Sequence, residues 1–197
     1  MFWTITKLIL WPVFKVFYRF STRGREHIPV DGPVLLVSNH ASYMDPVVVG
    51  LASRRPVLFM AKEQLFEIFG LGWIIRRLNA FPVKRTAFDR RAVQTALTAL
   101  ESGKVVGIFP QGTRQKDGEF DAYPGAALIA YKSGATIVPT AIRGTDKVMP
   151  DGTRLPRFPK ITVSFGPPIK PDRVGEKKEV MAELTDQIVK ELRAMLE

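Results

Sequence analysis

The chain has 197 residues, 46% of them apolar, with two histidines and no cysteine. Such a length buries one substantial core, and the missing cysteine excludes disulfides, thiolate nucleophiles and cysteine metal sites together. Lys and Arg outnumber Asp and Glu 29 to 19, and the resulting net charge of +10 implies an acidic partner: nucleic acid, an anionic membrane surface or a phosphorylated substrate.

Residues 1–20 are dominated by Phe, Trp, Ile, Leu and Val, with Lys7, Lys15 and Arg19 as the charged positions. No uninterrupted apolar run approaches the ~20 residues that span a bilayer. On a helical wheel Thr4, Lys7, Lys15 and Arg19 fall on one side, and Trp3, Phe14 and Phe17 lie away from it. This predicts an interfacial amphipathic helix, kinked at Pro12, with Phe2, Trp3, Leu10, Trp11, Phe14 and Phe17 as membrane contacts. A helix packed on the protein's own core is the competing reading. A secretory signal fits poorly, because no small-residue cleavage site follows.

Residues 21–33 read as a loop, with His27 a surface residue. The next stretch carries the chemistry. Val34 to Val37 is an apolar, branched run of buried-strand type, and it ends abruptly in Ser38-Asn39-His40, with Asp45-Pro46 following. A histidine leaving a buried strand, with a carboxylate five positions on, has the parts of an oriented general base. On a continuous helix, positions five apart sit roughly 140° around the axis, so His40 and Asp45 meet only if the chain turns between them. Pro46 also disfavours the α region at Asp45. Asp45-Pro46 serves equally as a helix start, with Asp as N-cap and Pro at the first helical position.

Val47 to Ser53 then suits a short helix, Pro56 to Met60 a strand, Lys62 to Phe69 a helix, and Trp73 to Leu78 another half-buried helix. Gly70-Leu71-Gly72 lacks the third glycine of a dinucleotide fingerprint. Ala80 to Val83 is a short strand ending in Lys84-Arg85. Phe88 to Ser102 is the clearest helix, with Ala92, Val93, Ala96, Leu97 and Leu100 on one face and Gly103 as its stop. Lys104 to Phe109 is a buried strand delivering the turn Pro110-Gln111-Gly112-Thr113-Arg114. Gly125 to Ser133 is helical, Gly134 closes it, and Thr136 to Ile142 is a strand whose proline argues for a sheet edge. Arg143 to Lys160 is loop, Ile161 to Phe165 a last strand, and Lys177 to Leu196 a last helix with Val180, Met181, Leu184, Ile188 and Leu192 inward.

Strands alternating with helices predict an α/β fold: a mixed, partly parallel sheet flanked by helices. Residues 1–20 form the membrane-interface helix and residues 21–197 a single α/β domain. Ligands in such folds sit beyond the carboxyl ends of strands, where His40, Arg85 and Gly112 would all lie. Gly112-Thr113-Arg114 offers backbone N–H groups, a hydroxyl and a guanidinium in sequence, which suits a phosphate, and Lys84-Arg85 supplies a second cationic wall. One strand end with a base and two with cations suggest base-catalysed chemistry on a phosphorylated alcohol. No G-x-S-x-G elbow occurs, so direct attack by an activated substrate hydroxyl is preferred to a covalent acyl-enzyme.

These residues resemble the bacterial 1-acylglycerol-3-phosphate acyltransferases of the glycerolipid acyltransferase superfamily. Asn39-His40 with Asp45 looks like the N-H-x4-D signature, and Ala80-Phe81-Pro82-Val83-Lys84-Arg85 is similar to the second block, which ends in a phosphate-binding Arg. Phe109-Pro110-Gln111-Gly112-Thr113-Arg114 matches F-P-E-G-T-R except at Gln111, and Ile137-Val138-Pro139 resembles the fourth block. The resemblance implies transfer of a fatty acyl group from an acyl-CoA or carrier-protein thioester to the free hydroxyl of lysophosphatidic acid, giving phosphatidic acid. It implies His40 as general base, Asp45 as its orienting partner, and Lys84, Arg85, Gln111, Gly112, Thr113 and Arg114 around the glycerol phosphate, with Pro139 shaping the site. It implies no metal or prosthetic group, and places the enzyme peripherally on the cytoplasmic face of the membrane. Gln111 keeps an acceptor oxygen but adds a donor and removes a charge, so it can bind a hydroxyl yet not transfer its proton. Another acceptor (glycerol 3-phosphate, a different lysophospholipid or a glycolipid) keeps the same mechanism. A non-catalytic basic protein binding anionic lipid or nucleic acid is the reading from another class, but no recognised nucleic-acid motif appears.

Overall fold

The computed structural model describes residues 2–67, 72, 75–76, 80–83, 90–109, 125–150, 152–153 and 155–197, with the backbone alone at 2, 62, 65 and 83. The strands are β1 (Ser21–Arg23), β2 (Val34–Ser38), β3 (Val57–Lys62), β4 (Phe81–Val83), β5 (Val105–Ile108), β6 (Thr136–Arg143) and β7 (Thr162–Phe165). They form one sheet in the order β1-β7-β6-β2-β5-β3-β4. Every neighbouring pair is parallel except β6 with β7, so the mixed, mostly parallel α/β sheet expected from the sequence is present.

Both faces are covered by helices, as a mostly parallel sheet requires. On one side α1 (Phe2–Phe17) and α2 (Asp45–Ala52) pack over Val34, Leu36, Val105, Val138 and Val163. On the other, α3 (Arg90–Glu101), α4 (Gly125–Ser133) and α5 (Lys177–Leu196) cover Leu35, Val37, Val106, Ile108 and Ile137. The all-buried pattern of β2 follows from this double cover. Helix α5 buries Val180, Leu184, Ile188 and Leu192 at the predicted spacing, each worth about 1.5–3 kcal/mol of apolar transfer. The two helix stops hold as well: Gly103 and Gly134 adopt φ of 69° and 68°, left-handed geometry that glycine takes without a Cβ penalty.

Several expectations are corrected. Residues 21–33 are not all loop: Ser21–Arg23 pairs with β7, and Arg25–His27 forms a 3-10 turn. Three residues are too few to show an alternation, so β1 exists only through its partner. His27 is half-buried rather than a surface residue, with Nδ1 2.8 Å from the Phe165 carbonyl oxygen. Lys62 closes β3, and Glu63–Phe66 is a 3-10 turn where a helix was expected. Ile75 and Arg76 are helical, and the rest of the predicted helix from Trp73 lies outside the described residues.

The strand with Pro139 is interior, flanked by β2 and β7, not at an edge. The Pro139 carbonyl accepts from Gly166 N, so its nitrogen, which points the same way in a strand, faces the break Gly166-Pro167-Pro168. Here β7 has ended, and pairing resumes only at the Ile137–Ile169 bridge. The missing N–H falls where the β6–β7 ladder is already interrupted, with Pro167 and Pro168 opposite Val138 alone, which is why an interior strand tolerates the ring.

Helix α1 is turned differently from the wheel reading. Phe14 is buried against Phe20 and Tyr18, and Leu10 and Trp11 are half-buried on the same core. Lys7 also points inward, donating to the Ser53 carbonyl at 2.6 Å and lying over the Trp3 and Trp11 rings. The outward stripe is Ile5, Leu8, Ile9, Val13, Val16 and Phe17.

Candidate active site

His40 stands where the sheet's parallel strands end. Strand β2 pairs with β6 as far as Ser38 with Thr140. One residue on, the Asn39 side chain takes over: Nδ2 donates to the Ile142 carbonyl at 2.9 Å, and Oδ1 accepts from Ile142 N at 2.7 Å. An amide that mimics a backbone rung pins the chain immediately before the histidine. His40 therefore leaves the sheet from an anchored position, with its side chain 12% exposed.

The turn from His40 to Asp45 is organised by the carboxylate. Oδ2 of Asp45 accepts from Ala41 N and Ser42 N, both at 2.7 Å, and lies 2.9 Å from His40 Nδ1. Three donors on one oxygen make it an acceptor, so Nδ1 carries the proton and proton transfer falls to Nε2. Asp45 is fully buried, and its Oδ1 is buried with no partner, so the whole polar compensation of this carboxylate converges on the oxygen that faces the imidazole. The sequence reading left Asp45 open between helix cap and base partner. The N-cap is Met44, whose carbonyl receives Val48 N, and Asp45 is the first helical residue despite the proline after it. Its side chain turns back toward the loop instead of capping the helix.

An aromatic column supports the other side of the base. The His40 and Phe109 rings stack with centroids 4.3 Å apart at 26°, and Phe109 lies nearly parallel to Phe59 at 5.9 Å and 14°. Phe59 faces Gly107 across the β3–β5 ladder, and a Cβ at Gly107 would overlap its ring. The sequence assigns Gly107 to a strand and Phe109 to the strand end that opens the third block, with no role for either ring or gap beside the base. A glycine inside an otherwise branched strand, with an aromatic two residues on, was the available signal.

Of the predicted site residues, His40 and Asp45 are brought together. Pro139 is buried in β6 opposite Val37, one strand from His40's own. Lys84, Arg85, Gln111, Gly112, Thr113 and Arg114 lie outside the described residues. Strands β4 and β5, which precede them in the chain, run parallel to β2 through the sheet and end on the side that bears His40.

The family model described as Acyltransferase matches residues 19–143, more than half of the chain, with His40, Asp45 and Pro139 all inside. The chain belongs to the Acyltransferase family. It is 28% identical over 180 residues to a 1-acyl-sn-glycerol-3-phosphate acyltransferase of Bacillus subtilis, covering 88% of each chain. It is 34% identical over 143 residues to a chloroplastic 1-acyl-sn-glycerol-3-phosphate acyltransferase of Arabidopsis thaliana, covering 70% of this chain and 39% of that one. The chain thus spans about two fifths of the length of the chloroplastic relatives. The crystal structure of the 1-acyl-sn-glycerophosphate acyltransferase PlsC from Thermotoga maritima aligns with a TM-score of 0.75 and 28% identity, over 95% of this chain and 77% of that one. The acyltransferase match begins at residue 19, just beyond α1, so the helix stands outside the part the family model describes.

Proposed function

We propose that this protein transfers a fatty acyl group from an acyl thioester, acyl-CoA or acyl carrier protein, to the free hydroxyl of 1-acylglycerol 3-phosphate, forming phosphatidic acid. The observation that carries it is the pair His40 Nδ1 to Asp45 Oδ2 at 2.9 Å at the end of β2, in a chain of the Acyltransferase family. The relatives, named as 1-acyl-sn-glycerol-3-phosphate acyltransferases, suggest the acceptor.

In this reading His40 Nε2 takes the proton of the acceptor hydroxyl as its oxygen attacks the thioester carbonyl carbon. Asp45 holds the tautomer and stabilises the imidazolium that forms. The tetrahedral adduct collapses with cleavage of the C–S bond, and the departing thiolate receives the proton back from Nε2. The products are an ester and a free thiol, and the base is regenerated. Lys84, Arg85, Gln111, Gly112, Thr113 and Arg114 hold the glycerol phosphate, with planar guanidinium and backbone N–H groups matching its oxygens. The steps require no metal or prosthetic group.

The acceptor is a membrane lipid, and the protein works peripherally on an anionic surface. Supporting this, the outward stripe of α1 is aliphatic and aromatic, and among the described residues no helix is long and apolar enough to cross a membrane. The connection from Arg143 to Thr162 sits at the same sheet end as His40, because β6 runs parallel to β2 and pairs there with the start of β7. It carries exposed Met149, Leu155 and Phe158, with Phe158 beside Phe17 and Tyr18 of the α1 end, and exposed Lys147, Arg157 and Lys160. A negative leaflet such as the cytoplasmic one attracts these cations.

The test is free thiol release from palmitoyl-CoA in detergent, with and without lysophosphatidic acid, for the wild type and His40→Ala. Acceptor-dependent release that falls at least ~10²-fold in the variant is expected. Near-wild-type turnover by His40→Ala would remove the mechanism, and release without acceptor dependence would remove the assigned acceptor.

A further inference from the structure

We propose that Phe109 is a positioning residue for the base: its ring face holds the plane of the His40 imidazole and stabilises the imidazolium as it forms. The inference rests on the reading of His40 as the proton acceptor, and it assigns that chemistry a partner which does not itself titrate.

The geometry is that of a supported stack. One edge of the imidazole is tied through Nδ1 to Asp45 Oδ2, which leaves rotation of the ring about its tether to be restrained by what lies against its face. Phe109 lies there, at 4.3 Å and 26°. Phe109 is the residue directly after β5, and it projects to the same side of the sheet as Val105 and Gly107 by the alternation of a strand. It packs on the core beneath α1 and α2 and runs nearly parallel to Phe59, whose ring fills the space that Gly107 leaves. The column from Gly107 through Phe59 and Phe109 to His40 is thus continuous from a sheet strand to the reacting nitrogen's own ring. Its stiffness comes from the packed core, where Phe59 is 7% exposed.

Electrostatics give the stack a catalytic sense. A benzene face is negative by its quadrupole, so it attracts an imidazolium more strongly than a neutral imidazole. That attraction grows as the proton moves from the acceptor hydroxyl to Nε2. An interaction stronger in the transition state than in the ground state raises kcat and leaves KM alone. Asp45 acts in the same sense through the ring edge, and Phe109 does so through the ring face.

A fluorine series separates this from plain packing. Phe109 is replaced in the full chain by phenylalanine carrying one, two and three ring fluorines, alongside Phe109→Leu, and thiol release from palmitoyl-CoA with lysophosphatidic acid is followed. Fluorination keeps the ring's shape while draining charge from its face. Expected are a stepwise fall in kcat along the series, reaching about tenfold, with KM for lysophosphatidic acid within twofold and an unchanged melting temperature. Phe109→Leu should lose at least as much kcat as the trifluoro ring. A flat kcat across the fluorinated rings overturns the proposal, whatever the leucine variant does, because packing alone would then account for the contact. The control His40→Ala distinguishes the failures. If it stays inactive while the series is flat, only the role of Phe109 falls; if it turns over normally, the base itself falls and this inference with it.

Discussion

Two side chains of opposite charge, the fully buried Asp45 and the half-buried Lys7, lie on the α1 and α2 side of the sheet, and their surroundings explain why one is matched and the other is not. Asp45 has three donors on Oδ2, one of them His40 Nδ1. Lys7 has the Ser53 carbonyl and two indole faces, and its pKa is pushed down from 10.5 to about 8, first by burial and then by the nearby Arg25 guanidinium. A depressed lysine pKa means that the folded protein binds fewer protons than the unfolded chain between about pH 8 and 10.5. Stability contributed at this position therefore rises with pH across that window, as the cost of the buried charge is relieved. Lys7→Met removes the titration. The melting temperature of the wild type relative to Lys7→Met should increase from pH 7.5 to pH 10, by differential scanning fluorimetry in matched salt; a constant difference would show that Lys7 is better solvated than its packing implies.

Among the elements, β5 does more than fill the sheet. Its order Val105-Val106-Gly107-Ile108 places branched residues where both faces need bulk and a bare Cα where Phe59 lies across the strand. Gly107→Ala forces the Phe59 ring aside, and the ring is held within a packed core. Overpacking of this kind costs about 1–3 kcal/mol, or roughly 3–10 °C in melting temperature for a chain of this size. Because Phe59 runs nearly parallel to Phe109, thiol release should fall further than the loss of folded protein explains. Full specific activity in Gly107→Ala at a temperature well below its melting point would show that the column has slack. A similar economy of position applies to β6, where Pro139 is tolerated in an interior strand because its nitrogen meets the β7 break.

At the scale of the whole molecule, the proposed membrane reading joins a net charge of +10 to an apolar stripe along α1. In that reading the charge would draw the protein to an anionic surface, and the stripe would supply the short-range burial that holds it there. Leu8 and Val16 are 77% and 73% exposed and lie on the outward side of α1, away from the core. Leu8→Glu with Val16→Glu should cut cosedimentation with phosphatidylglycerol vesicles severalfold, with an unchanged melting temperature. Raising the salt should weaken the wild type as well, since the electrostatic share is screened within a Debye length of ~8 Å at physiological ionic strength. Vesicle binding equal to the wild type in the double variant would place the docking surface elsewhere.

What the sequence by itself determined is whatever local chemistry and periodicity carry. The 3.6-residue repeat placed α5 from Lys177 to Leu196 at both ends, glycines marked the stops of α3 and α4, and the run Val34 to Val37 announced a strand buried on both faces. The same reading picked out His40 and Asp45, since a polar break after an apolar strand is visible without coordinates, and it reached the acyltransferase family through ordered blocks. Tertiary structure decided what depends on a partner distant in the chain. Strand β1 appears because β7 offers a ladder, and His27 is drawn in by a carbonyl 138 residues away. The wheel of α1 could show which positions share a face but not which face the core would claim, so Phe14 and Lys7 turned inward while the aliphatic stripe stayed out. Phe109 on His40 is of the same kind. Stacking joins residues 69 apart in number (109 less 40) through the β2–β5 register, and a strand's pattern records burial, not the neighbour that a ring will meet.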